Sequence, residues 1–452
     1  MTVATTTPMP AVGRPFVAGT AFDLAEVGYG AGEYVLAATA VAYGRGGEAA
    51  GVVEEAPFAT RILVYRPLDD AAFNGTVWVE WLNVSGGLDA APDWLFTHTE
   101  LVRAGAAWMG VSAQRTGVEG GGGLLGLPSL GLVAVDPRRY GELRHPGDRF
   151  SYDIYAQAGA VARRGSGTIL DGLAVERVLA IGESQSAFRL TTFVNEIDPL
   201  TPVFDGCLVH ARGRGAAPLD DEGPPMAGRD GEPTPFRPDL RIPVLCVESE
   251  TDLLALGYLA ARQDDAEHLA VWEMAGTSHA DVYTFAVGPI DTGRLGLDAL
   301  AGAWVPPSEV YGMALERPVN AGAQHYVMNA AVRALERWVA GGGRPPEAPR
   351  LAVDGGALVL DEHGNARGGI RTPPVDVPTA VLSGLGNGGH PIAMLCGTTT
   401  AFEADTLSAL YRSRRHYRER FEAATALAVD GGFVLAEDGA TLTAVAEANC
   451  PL

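Results

Sequence analysis

The chain has 452 residues with 33 basic and 55 acidic side chains, a formal charge of −22, and 47% hydrophobic residues. This apolar content excludes a largely disordered chain, and the lack of a positive field argues against nucleic acid or an anionic membrane surface as a partner. With 58 glycines and 30 prolines but no G-X-Y period, the composition fits a loop-rich globular protein rather than a collagen. The cysteines (Cys207, Cys246, Cys396 and Cys450) are scattered without a CxxC pair, so neither a metal ribbon nor a disulfide framework is expected. The first residues, MTVATTTPMPAVGRPF, contain no basic n-region and no apolar h-region. No run long enough to span a bilayer is apolar throughout, so the expectation is a soluble, cytoplasmic protein.

Short β-branched or apolar runs alternate with helical patterns, which predicts a mostly parallel central sheet flanked by helices. The predicted strands are Thr60–Tyr65, Val77–Leu82, Trp108–Ala113, Val175–Ile181, Phe204–His210, Val244–Glu248 and Ala270–Met274. The first two, with the region Tyr34–Tyr43, read as hairpin-connected antiparallel strands. Three irregular stretches interrupt the series as lid-like insertions: 116–148, with its run Gly120–Gly123; 213–238, dense in Pro, Gly and Asp; and 281–323. The composition of 213–238 predicts a flexible loop rather than a helical cap. Gln324–Ala340 has helical periodicity with Val327, Ala330, Ala334 and Trp338 on one face. Gly341–Pro349 breaks the pattern. Residues 1–340 therefore form the expected core. Residues 350–452, with a short strand pair and polar amphipathic helices from Ala401 to Asn449, form the expected C-terminal subdomain packed on it.

The segment Val175–Phe188, VERVLAIGESQSAF, reads as a buried strand, a tight turn Gly182-Glu183-Ser184-Gln185-Ser186, and a helix with Ala187, Leu190 and Val194 on one face. That is the context of a nucleophile elbow, with Ser184 projecting above the sheet. Ser186 stands where a second glycine is usual. A serine capping the following helix is the simpler reading of Ser184. Ser112 and Ser278 also follow a Gly-x step, but Ser112 leads into QRTGVEGGGG and not a helix, and Ser278 adjoins a histidine needed for another role.

An acid and a histidine are then expected after the next strands, in the order Ser, acid, His. The strand Ile242–Glu248 runs into Ser249-Glu250-Thr251-Asp252, and Trp272–Ala275 runs into Gly276-Thr277-Ser278-His279. Leu253–Asp264 is long enough for a connecting helix. In this arrangement His279 takes the Ser184 proton and the acid fixes the imidazole tautomer. Asp252 fits the usual offset from the strand end, Glu250 stands in the same turn as an alternative, and Asp281 is placed to orient the histidine loop. Oxyanion donors are expected from the backbone of Gln185 and from the loop Asn83-Val84-Ser85-Gly86-Gly87, with Val84 first and Ser85 next. A plain glycine-rich turn is the alternative for that loop. Asn83-Val84-Ser85 also matches a glycosylation sequon, discounted without a secretion signal. Trp81, Trp94 and Trp272 read as core residues, with an apolar acyl or alcohol pocket as the alternative.

With these pieces placed, the chain resembles the α/β-hydrolase superfamily, and within it a group of large bacterial α/β-hydrolase-domain proteins. The resemblance spans nearly the whole length and rests on VEWLNVSGG (79–87), GVSAQRTGVEG (110–120), HPGDRFSYDIY (145–155), IGESQSAFRL (181–190), VESETDLL (247–254), AGTSHAD (275–281), QHYVMNAA (324–331), GGIRTPPVDVP (368–378) and LSGLGN (382–387). It implies a serine-nucleophile hydrolase of carboxylic esters, with no metal or organic cofactor and a small-molecule substrate. The absence of an Arg cluster at a predicted strand end favours neutral esters or lactones. A serine acyltransferase or lyase of secondary metabolism using the same residues is one alternative, and a catalytically silent binding protein is another. Neither a GK[ST] loop nor a helix-opening GxGxxG is present for a P-loop or dinucleotide site.

Overall fold

The computed structural model describes residues 4–10, 13–45, 50–123, 129–165, 169–220 and 231–452. Among them, nine strands form one sheet: β1 (Thr5–Pro8), β2 (Tyr29–Arg45), β3 (Ala50–Pro67), β4 (Thr76–Trp81), β5 (Ala107–Val111), β6 (Arg177–Glu183), β7 (Gly206–His210), β8 (Val244–Glu248) and β9 (Leu269–Glu273). Their spatial order is β1-β2-β3-β5-β4-β6-β7-β8-β9. The pairs β1–β2, β2–β3 and β3–β5 are antiparallel, and every pair from β5 through β4 to β9 is parallel.

Two expectations need correction. The strand Val77–Leu82 is not hairpin-paired with Thr60–Tyr65. It is β4, parallel to β5 and β6, and β3 pairs with β5 instead. All six residues of β4 are buried, as expected of a strand covered on both faces, so no in–out alternation marks its direction. Leu253–Asp264 is not one helix. A short turn ends at Leu254, Gly257 adopts a left-handed φ of 74°, and a second short turn covers Tyr258–Ala261. β1 carried no signal strong enough to be predicted, being a short edge strand with little burial.

Strand side chains alternate between two buried layers, the period-2 pattern of a sheet covered on both sides. Val77, Val79, Trp81, Val178 and Ala180 enter one layer, where helix α2 (Ser151–Arg164) supplies Tyr152 and Tyr155 and helix α3 (Gln185–Thr192) supplies Ala187 and Leu190. Trp78, Leu82, Leu179 and Ile181 enter the other, against Trp94 and Leu101 of helix α1 (Pro92–Ala104) and Val327, Ala331 and Leu335 of helix α5 (Gln324–Val339). Each such side chain contributes about 1.5–3 kcal/mol by leaving water. Trp81, Trp94 and Trp272 are fully buried in these layers.

The free edge of β9 is covered from far along the chain. Ile370 forms a parallel bridge to Met274, its N–H donating to Glu273 O at 2.6 Å and its carbonyl accepting from Ala275 N at 3.0 Å. This satisfies backbone groups that an open edge strand leaves unpaired. Glu273 accepts from Arg262 Nε at 2.7 Å and from Leu351 N at 2.7 Å, which fastens the same edge. Tyr417, Phe421, Leu442 and Val445 of the C-terminal helices α6 (Arg414–Asp430) and α7 (Ala436–Ala448) enter the same buried layer as α1 and α5. Of the three insertions, residues 124–128 and 221–230 lie outside the described residues. Residues 281–323 contain a π-helical turn at Tyr283–Val287 and a short helix at Leu297–Ala303. Among the described residues no helix is long and apolar enough to cross a membrane.

Candidate active site

The site lies where the parallel strands end. β6 stops at Glu183, and Ser184 takes φ 60° and ψ −115° before helix α3 begins at Gln185. This conformation is strained for an L-residue and persists where the surroundings over-determine it. Ser184 N donates to His210 O on β7 at 2.9 Å, and Phe188 N donates to Ser184 O at 3.2 Å. Gly182 is required by packing: a Cβ there would sit 2.9 Å from Leu190 Cδ1 and 3.0 Å from Ser186 Cβ. The serine at 186 fits buried at this crossing, its hydroxyl without a hydrogen-bond partner among the described residues.

His279, on the loop after β9, reaches Ser184 Oγ through Nε2 at 2.9 Å. Its Nδ1 lies 2.6 Å from Asp252 Oδ1. Asp252 is held by its own turn. Ser249 caps helix α4 (Glu250–Leu254), and Asp252 Oδ2 accepts from Ser249 N at 2.7 Å and Ser249 Oγ at 2.6 Å, leaving Oδ1 for the histidine. Glu250 points elsewhere. Residues two apart on a helix lie about 200° apart around its axis. Glu250 Oε1 accepts from Gly276 N at 2.6 Å, and Oε2 accepts from Gly384 N at 2.8 Å. Burial pushes the Glu250 carboxyl up to about 7. Between these two acids, Thr251 Oγ1 accepts from His279 N at 3.2 Å and donates to Gly384 O. Asp281 accepts from Thr284 N at 3.1 Å, so it caps the turn after the histidine, and burial pushes it up to about 7.

In the loop after β4, hydrogen bonds between Asn83 and Ala90 in both directions close the base. Ser85 N donates to Asn83 Oδ1 at 2.8 Å and Gly87 N to Val84 O at 3.0 Å, while Val84 N makes a longer 3.3 Å bond to Gln185 Oε1. Gln185 Nε2 in turn donates to Gln114 Oε1 at 2.7 Å. The backbone N–H of Gln185 opens α3, where no earlier carbonyl of that helix exists to accept it. The other serines are occupied structurally. Ser112 Oγ donates to Asp89 and accepts from Arg61 Nε, and Ser278 Oγ donates to Ala280 O at 2.8 Å.

The sequence reading passed over two buried groups here. Glu183 Oε1 lies 3.2 Å from His279 Nε2, and burial, its largest influence, pushes the Glu183 carboxyl up to about 7. His210 Nδ1 lies 2.9 Å from Asp93 Oδ1, and burial pushes the imidazole down to about 4. The one local signal for Glu183 was an ionisable side chain inside the elbow, next to the serine. The His210–Asp93 pair spans 117 residues and had none. Among the described residues no group of three or more His, Cys, Asp or Glu side chains is arranged to hold a metal ion.

As an arrangement, this is a hydroxyl on a strained turn, an imidazole within hydrogen-bond reach of it, and a carboxylate fixing that imidazole. Such a set can activate an oxygen nucleophile. Distant likenesses exist among solved structures. A fungal esterase from Rhizomucor miehei is 12% identical over 69% of this chain and 85% of its own, with a TM-score of 0.32. A thermostable esterase from Pseudomonas putida is 14% identical over 56% and 74%, with a TM-score of 0.30. A serine hydrolase without a lid from Xanthomonas campestris is 12% identical over 54% and 85%, with a TM-score of 0.29. No curated protein matches the chain. The family model of the alpha/beta hydrolase domain matches residues 3–444, and the chain belongs to that family.

Proposed function

We propose that the protein is a serine hydrolase of neutral carboxylic esters or lactones, working through an acyl-enzyme on Ser184 with His279 as base and Asp252 as the acid that orients it. The observation that carries this reading is the continuous pair of contacts, Ser184 Oγ to Nε2 at 2.9 Å and Nδ1 to Asp252 Oδ1 at 2.6 Å, on a turn whose serine has positive φ. In acylation, Ser184 Oγ attacks the carbonyl carbon while its proton passes to Nε2. The imidazolium then gives that proton to the leaving oxygen, and water repeats the sequence to release the acid. Asp252 keeps the Nδ1 proton facing it and stabilises the imidazolium without taking a proton. The oxyanion is received by the backbone N–H groups of Gln185 and Val84. Val84 is favoured over Ser85 because its N–H makes only the longer 3.3 Å bond to Gln185 Oε1, whereas the Ser85 N–H is held by Asn83 Oδ1 at 2.8 Å.

Ser184 is 6% exposed and His279 4%, so the reading favours compact substrates over bulky ones. A panel of short-chain aryl esters and lactones, run on wild type beside Ser184→Ala, tests it. Turnover by wild type that disappears in the variant supports the reading, and undiminished turnover in a folded Ser184→Ala protein removes it.

A further inference from the structure

The contact between Glu183 and His279 is unexplained by a three-residue relay. Nε2 of a neutral imidazole offers one lone pair, and in the relay that lone pair accepts the Ser184 hydroxyl. A second acceptor, Glu183 Oε1, stands 3.2 Å from the same nitrogen. A carboxylate this close to the nitrogen opposes its lone pair and attracts the ring once that nitrogen is protonated. Such a pair titrates as a unit.

Glu183 is also fixed in place. Asn83 Nδ2 donates to the Glu183 main-chain carbonyl at 3.0 Å and makes a longer 3.4 Å contact with its Oε2, so the loop after β4 holds the backbone of Glu183 firmly and its carboxylate more loosely. The charged or titratable groups facing it are His279 after β9, His210 at the end of β7, Asp93 on α1 and Asp252 on α4. Burial is the largest influence and raises the Glu183 carboxyl, charge on His279 opposes it, and the two aspartates add to it.

We propose that Glu183 is a fourth catalytic group acting on the reacting nitrogen: its carboxylate stabilises the imidazolium formed when Ser184 attacks, and by the same attraction sets the pH below which His279 can no longer accept the serine proton. The inference rests on the nucleophile assignment above. In the attack step the Ser184 O–H bond breaks, the Nε2–H and Oγ–carbon bonds form, and Glu183 neither gains nor loses a proton. Its negative charge sits beside the new positive one. The proton then leaves Nε2 for the departing oxygen as before. Below the titration of the pair, Nε2 already carries a proton, and the serine has no base.

The test is the rate at which a fluorophosphonate modifies Ser184 as a function of pH, in wild type, Glu183→Gln and Glu183→Ala, with thermal unfolding to establish that each variant is folded. This readout needs no ester turnover. The expected result is a plateau rate lowered about tenfold in both variants and an acid-limb midpoint displaced downward by about one pH unit, the size expected when a neighbouring charge is removed from a partly screened site. A residue that only anchors Asn83 lowers the plateau and leaves the midpoint where it was. An unmoved midpoint in both folded variants therefore overturns the proposal. Wild type that is modified at Ser184 yet cleaves no ester or lactone overturns the ester reading while leaving the Glu183 result standing. Wild type that is not modified at any pH overturns both.

Discussion

Asp252 and Glu250 stand in one turn, yet they serve opposite sides of the histidine loop. Asp252 meets the ring of His279, and Glu250 meets two backbone N–H groups, one at Gly276 and the other at Gly384, far along the chain. The contrast extends to the regions they represent. The ends of the parallel strands present side chains to one another across 2.6–2.9 Å, whereas the segment from residue 346 onward meets the β9 edge and the histidine loop through backbone groups: the carbonyl of Pro346 to Trp272, both polar atoms of Ile370 to the β9 edge, and Gly384 to Glu250 and Thr251. Chemistry is assigned to the first region and support to the second. What a carboxylate does here follows from which way its place on the helix turn points it.

Ser184→Ala is expected to reduce kcat by about 10⁶ with little change in stability. Asp252→Asn is expected to reduce kcat by about 10⁴, because the amide favours the wrong imidazole tautomer. Glu250→Gln is expected to lower kcat by no more than about tenfold while costing about 1–3 kcal/mol of stability, since one side-chain N–H group then faces a backbone N–H. Urea unfolding beside initial rates separates the two quantities, and equal kcat losses at 250 and 252 would erase the distinction. Arg262→Ala is expected to leave kcat unchanged and destabilise by about 3 kcal/mol, because it strips the buried Glu273 carboxylate of its nearest charged partner and leaves Arg350 Nε at 4.0 Å.

Glu250 also supplies a pH test. Its folded-state value of about 7 exceeds the 4.5 of a free glutamic acid, so the folded state binds the proton more tightly. Stability from this group is present in full below about 4.5 and is lost as pH rises through about 7. The stability advantage of wild type over Glu250→Gln should therefore shrink between pH 5 and pH 8, by about 2–3 kcal/mol. Unfolding measured across that range checks it, and an advantage that grows with pH would contradict burial as the dominant influence on Glu250.

Much of the geometry around Ser184 was legible because the serine nucleophile proposed here makes demands on its own surroundings. Gly182 before Ser184, a strand before and a helix after, and a histidine after the last parallel strand are all demands made within a few residues. The offset from the strand end favours Asp252 over Glu250, but the physical reason, the rotation of a helix turn set by the Ser249 cap, leaves no mark in that offset. The direction of β4 was hidden for a related reason, since a strand buried on both faces loses its alternation. The grip of Gly384 on Glu250 crosses 134 residues and involves a glycine backbone, which leaves no side-chain pattern to read.

The most direct measurement is peptide mapping of the protein after reaction with a fluorophosphonate, in wild type and in Ser184→Ala, with ester turnover followed on the same samples. The account predicts a single adduct on Ser184 that abolishes turnover, and no adduct and no turnover in the variant. An adduct on another residue, or ester cleavage that survives in folded Ser184→Ala, would contradict it.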